Sequence, residues 1–159
     1  MKKASFLLKL HEEGKVRECE PSLNLKKAYL SRAAESLSSA KALLKMGNLR
    51  DSVALSYYSM YHALLALLFR TGIKCENHSA AIVLMKDAFG LDNSAISKAK
   101  EERVDKQYYV DFEVQKEEAA EAIAVAEEFI AKITDFAEKL SEEKMKDYHG
   151  RAMAVILGK

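Results

Sequence analysis

The sequence predicts an all-α protein, an up-and-down antiparallel bundle of four to five main helices with short helical appendages at its N- and C-terminal ends. Three observations carry that prediction. Apolar residues recur at spacings of three and four along two long stretches, residues 25–44 and 119–140, the period of a helix with one buried face. One proline and six glycines among 159 residues leave little to interrupt helices. Alternation of apolar and polar positions over the length of a strand is missing, as are repeats and low-complexity tracts.

The elements follow in order. Residues 1–21 read as an appendage, in which Phe6, Leu7, Leu8 and Leu10 form a short amphipathic helix before a linker at Pro21. Ser22 is placed to cap the first long helix, whose apolar positions include Leu25, Ala28, Tyr29, Ala33, Leu37, Ala40 and Leu44, and Gly47 is placed to stop it. From Val53 to residue 69 most positions are apolar around the whole circumference, which predicts a central helix covered on several sides. Gly72 ends it. A third, shorter helix is expected around residues 79–89, stopped by Gly90, and a fourth over residues 94–107, capped by Asp92 or Asn93. After a break at residues 108–112, a second long amphipathic helix sets Ala119, Ile123, Ala126, Phe129, Ile133 and Ala137 opposite Glu117, Glu121 and Glu128. The tail, residues 141–159, places Met145, Tyr148, Ala152, Val155 and Ile156 on one face, with Gly150 weakening the helix. The domain expected is residues 22–140, joined by connections short enough for antiparallel neighbours.

Composition narrows the function classes. An apolar fraction of 49% describes a packed core that needs neither metal nor disulfide, and no cofactor is expected. Charge is balanced, 25 basic against 24 acidic residues, so any contact with RNA must be local rather than driven by a global field. Cys19 and Cys75 are too few for a disulfide scaffold, and with no signal peptide over residues 1–10 the expected compartment is the cytoplasm. The longest apolar stretch, residues 57–69, contains His62, ends at Arg70 and falls short of the ~20 residues of a membrane span, so no membrane partner is expected.

Several segments, taken in order, resemble a known family. Leu30, Ala33, Leu37, Ala40, Leu43, Leu44 and Gly47 lead to Asp51-Ser52-Val53 and then to Ser56-Tyr57-Tyr58-Ser59-Met60-Tyr61-His62-Ala63. Asn77-His78-Ser79 follows, then Glu102-Arg103 with Tyr108, then a Glu/Ala-rich helix over residues 117–133. This order resembles the HEPN family, the helical partners of minimal nucleotidyltransferases in prokaryotes. The resemblance implies a dimeric bundle of four to five helices that works beside a nucleotidyltransferase, in a toxin–antitoxin pair, or as a metal-independent ribonuclease. One departure matters. Nuclease members carry a histidine four to six residues after the arginine, whereas here Arg103 is followed by Val104, Asp105, Lys106, Gln107, Tyr108 and Tyr109.

Metal-independent RNA cleavage needs a base for the 2′-hydroxyl and a cation for the phosphorane, so Arg103 and Tyr108 are the candidate catalytic pair. Tyr108 is a poor base, because an ordinary phenol with a pKa of ~10 stays protonated near neutral pH. Arg103 can instead grip a phosphate bidentately, or pair with Glu102 or Asp105. Tyr58 and His62, four apart, share a face of the central helix and either line a cleft or sit satisfied in the core. Tyr57 and Tyr61 read as core aromatics. His78 stands at a helix start, where it caps the helix or faces an anion, and with Cys75 it has the spacing of only half a zinc site. Lys98, Lys100, Arg103 and Lys106 make the one local basic concentration, either a phosphate-binding patch duplicated across a dimer axis or a solvated face balanced by Glu101, Glu102 and Asp105, while Arg103, Tyr108 and Tyr109 are the candidates for an RNA or nucleotide cleft. His11 and His149 read as surface residues. Three functions stay open: an interaction module with a nucleotidyltransferase, an endoribonuclease, and a dimerisation module without a ligand.

Overall fold

The computed structural model describes the backbone of residues 2–108 and 113–159, and side chains over residues 5–104 and 113–159. The chain runs α1 (Lys2–Glu12), β1 (Val16–Glu18), α2 (Leu23–Met46), α3 (Leu49–Arg70), β2 (Ile73–Cys75), α4 (His78–Asp87), α5 (Ser94–Tyr108), α6 (Lys116–Glu138) and α7 (Glu142–Leu157). It is an all-α bundle with one small ribbon.

The uniformly apolar helix α3 is the spine. Tyr57, Met60, Leu64, Leu67 and Leu68 are fully buried, and α2, α5, α6 and β2 pack around it. Each such leucine contributes about 2 kcal/mol of burial relative to an exposed one. Its buried serines are satisfied internally, Ser52 donating to the Ala40 carbonyl of α2 and Ser56 to Ser52 of its own helix. By length and composition α3 would also cross a membrane, yet 83% of its most apolar window is buried inside the protein. The helix is longer than its apolar stretch because the polar residues at its start are also helical.

Local signals set the boundaries of the long helices. The Ser22 hydroxyl accepts from Leu25 N at 3.0 Å and starts α2, and Gly47, at φ 82°, ends it by donating to the Leu43 and Leu44 carbonyls. On α6 the stripe Ala119, Ile123, Ala126, Phe129, Ile133 and Ala137 is buried as expected. The tail is a full helix despite Gly150, with Ser141 as its cap and Met145, Ala152 and Ile156 buried.

Three features differ from the sequence reading. Strands β1 and β2 pair antiparallel, Val16 opposite Cys75 and Glu18 opposite Ile73, and at three residues each they are too short to display an alternating pattern. The leading segment puts Leu7, Leu10 and Val16 into the same core, with α1 against α7. The two flanking histidines are half-buried joints rather than surface residues. His11 Nδ1 bonds the Val16 carbonyl at 2.9 Å, while His149 Nδ1 bonds the Thr71 carbonyl at 2.8 Å with its Nε2 2.7 Å from Glu18 Oε2. That joint closes on Gly72, whose φ of 81° and whose neighbours, Cys19 O and His149 Nδ1 each 2.9 Å from an added Cβ, leave no room for a side chain.

At this end of α3 two buried cations find carboxylates. Arg70, 5% exposed, donates to Glu142 Oε1 at 3.1 Å, and Lys26, 4% exposed, lies 3.2 Å from Glu138.

Candidate functional site

The other polar concentration lies midway along α3, where α4 begins and α5 passes. Helix α4 starts because Asn77, in extended conformation, accepts from Ala80 N at 2.9 Å. Asn77 is therefore the cap, and the capping role expected of His78 is corrected: as the first helical residue, His78 sends its ring back over α3. There the Tyr57 hydroxyl and His78 Nδ1 share a hydrogen bond of 2.6 Å, and the Tyr61 ring stacks on the imidazole with centroids 3.8 Å apart. Tyr58 meets the same imidazole edge-on at 6.3 Å.

Helix α5 supplies the cations. Arg103 Nη1 donates to the Tyr58 hydroxyl at 3.2 Å, and its guanidinium carbon stands 5.4 Å from the Tyr57 and Tyr58 ring centroids, within cation–π range. Lys100, one turn earlier, donates to the Ser79 hydroxyl at 3.2 Å. Two positive charges thus meet three tyrosines and a histidine.

The electrostatics follow from burial and from those cations. Burial, and then the neighbouring Arg103, Lys100 and His62, hold His78 below the ordinary histidine value, so the neutral ring is favoured. Burial pushes Tyr57 far above the ordinary phenol, so the hydroxyl keeps its proton and is able to donate to the imidazole. In the tautomer in which Nδ1 accepts, the proton of the neutral imidazole sits on Nε2, a donor suited to an anion's oxygen.

The site residues expected from sequence separate into groups. Tyr58, His78, Lys100 and Arg103 come together. His62 does not hydrogen-bond Tyr58. It lies between Tyr29 and Tyr61, at 6.2 and 6.4 Å, its Nδ1 is buried without a hydrogen-bond partner among the described residues, and burial followed by Arg32 lowers its pKa. Lys98 diverges from the other basic residues and edges a separate cavity with Glu102. The Lys106 and Tyr108 side chains, and all of Tyr109, lie outside the described residues. Cys75 gives its thiol to the Asn77 carbonyl, and burial pushes that thiol up to about 11, while Tyr57 occupies His78 Nδ1. Among the described residues no group of three or more His, Cys, Asp or Glu is placed to hold a metal ion.

Tyr57 and Tyr61 are the residues that sequence reasoning missed. Both are buried, 0% and 7% exposed, so the core assignment was physically right, but their polar and aromatic faces meet His78. The doubled aromatic at residues 57–58 was the available signal, since neighbours on a helix point 100° apart and address two sides of one cluster.

Comparison with known proteins bears on the same region. A 48-residue segment is 54% identical to a UPF0332 protein of Pyrococcus horikoshii, covering 30% of this chain and 34% of that protein. The chain therefore matches only about a third of that relative's length. The HEPN domain family model matches residues 27–140, which include α3, the start of α4 and the cations of α5. On that match, which takes in most of the chain and every residue of the cluster, the protein belongs to the HEPN family.

Proposed function

We propose that this HEPN protein is a homodimer that works with a minimal nucleotidyltransferase in a toxin–antitoxin-like pair, and that the cluster of Tyr57, Tyr58, His78, Lys100 and Arg103 binds the phosphate of an RNA or nucleotide. One observation carries the reading. Arg103 is set against Tyr58 and over Tyr57, whose hydroxyl hydrogen-bonds His78 Nδ1, so cations, an imidazole whose Nε2 donates when Tyr57 gives its proton to Nδ1, and aromatic faces address one place. A phosphate takes the cations and the donor, and a base takes an aromatic face. The residues keep the cytoplasm as the proposed compartment, both cysteines being free thiols.

The test is anisotropy of a fluorescein-labelled oligoribonucleotide in EDTA, together with a reading of the neighbouring genes for a minimal nucleotidyltransferase and co-expression of any that is found. Salt-dependent binding weakened in Arg103→Ala, and co-purification of the two proteins, are the expected results. Absence of RNA or nucleotide binding, or a nucleotidyltransferase that never co-purifies, removes the corresponding half of the proposal.

An endoribonuclease is the second reading, favoured by a neutral histidine close to Arg103. In the resting arrangement, however, Tyr57 occupies His78 Nδ1, so acting as a base through that nitrogen requires Tyr57 to release it or to relay the proton. This reading predicts EDTA-resistant cleavage lost in both His78→Gln and Arg103→Ala. Intact RNA across a broad pH range sinks it.

A further inference from the structure

Helices α5 and α6 diverge along a groove that the proposed phosphate site does not use. A cavity of about 430 Å³ has Val53, Ala95, Ala99, Ala122 and Val125 as its floor, and a second of about 290 Å³ shares Ala95 and Val125 and continues to Leu91, Phe129 and Ile133. Small side chains along the floor let another backbone approach closely, as helix–helix packing at 8–10 Å requires. Between Ala95 and Glu102 the groove follows α5 for roughly 10 Å, about two helical turns.

The rim is acidic. Glu102, Glu117 and Glu121 edge the larger cavity with Lys98, and none of the three makes an ion pair or hydrogen bond with a described residue. Glu118 adds a fourth carboxylate there while closing the capping box of α6. Such a rim repels phosphate and attracts cationic side chains, so nucleic acid is a poor occupant. A second copy seated groove on groove is also disfavoured, because it brings two acidic rims together.

We propose that the α5–α6 groove receives a basic amphipathic helix from a partner protein, with apolar residues on the alanine and valine floor and lysines or arginines against Glu102, Glu117 and Glu121. The proposal does not depend on the phosphate-binding reading. The two regions nonetheless touch, since Tyr57 edges the groove with its ring while its hydroxyl holds His78.

The experiment titrates full-length protein into a labelled helical peptide of about 12 residues, with leucines on one face and lysines flanking them, against the same peptide with glutamates for lysines. The lysine peptide is expected to bind at least about tenfold more tightly, the paired exposed substitutions Glu117→Lys and Glu121→Lys to reverse that order, and Ala122→Trp to abolish binding. Equal binding of both peptides, no binding of either, or an order that survives charge reversal overturns the proposal. Light scattering that shows a dimer dissociated by the same charge reversal also overturns it, by assigning the groove to a second copy. The surface charge reversals keep the test decisive if Ala122→Trp fails to fold.

Discussion

Two regions along α3 handle positive charge in opposite ways. At the C-terminal end, Arg70 and Lys26 are almost completely covered and each closes on a carboxylate from α7 or α6, with His149 and Glu18 adding a further clasp. Midway, Arg103 and Lys100 meet hydroxyls, tyrosine faces and a neutral-favoured histidine. The first arrangement resembles a fastening, since removing the carboxylate leaves a buried cation unpaired. The second sets its cations against hydroxyls and aromatic faces at the start of α4, and the contrast locates the candidate site.

The comparison breaks if the two regions respond alike to substitution. The largest stability effect is expected from Glu142→Ala, which strips the carboxylate from buried Arg70 and should cost about 3 kcal/mol, the low end for a broken buried pair because Glu142 itself is largely exposed. Thermal unfolding measures it, and Arg70→Met in the same chain should restore much of the loss. Arg103→Ala should instead leave the melting temperature nearly unchanged while weakening RNA about thirty-fold, from about 2 kcal/mol for a charged hydrogen bond. Tyr57→Phe removes one neutral hydrogen bond to His78 and should cost about 1 kcal/mol in urea unfolding.

The smallest effect concerns pH. His78 and His62 both have folded pKa values below the unfolded 6.5, so the unfolded chain takes up protons first on acidification. Stability is then full above about pH 6.5 and declines below it, toward the lowered folded values. Urea midpoints across that window should fall with pH, and less steeply in His78→Gln. A midpoint that rises on acidification in step with these histidines would reverse the assigned direction.

Much of the fold was legible because long helices repeat their pattern many times. The stripes on α2 and α6 and the all-round apolarity of α3 each rest on several turns, so one ambiguous residue does not matter. Strands β1 and β2 had three residues apiece, too few for a period to declare itself, and what pairs them is the turn at Gly72 and the His149 joint, contacts between residues far apart in sequence. The same limit governed the site. Tyr58, His78, Lys100 and Arg103 were recognisable one at a time, whereas Tyr57 and Tyr61 became site residues only once α4 folded back to set His78 over the middle of α3. His62 showed the converse: four residues from Tyr58 and on the same helical face, it leans instead toward Tyr29 of α2.

Histidine-selective ¹⁵N NMR of the whole protein, before and after addition of a short oligoribonucleotide in EDTA, tests the central claim most directly. The account predicts that the free protein holds His78 neutral, with Nδ1 unprotonated and accepting from Tyr57. On addition of RNA the His78 resonances should shift and its pKa should rise as a phosphate arrives beside Nε2, while His149 stays unchanged. A His78 spectrum indifferent to RNA, with shifts confined to His11 or His149, would contradict it.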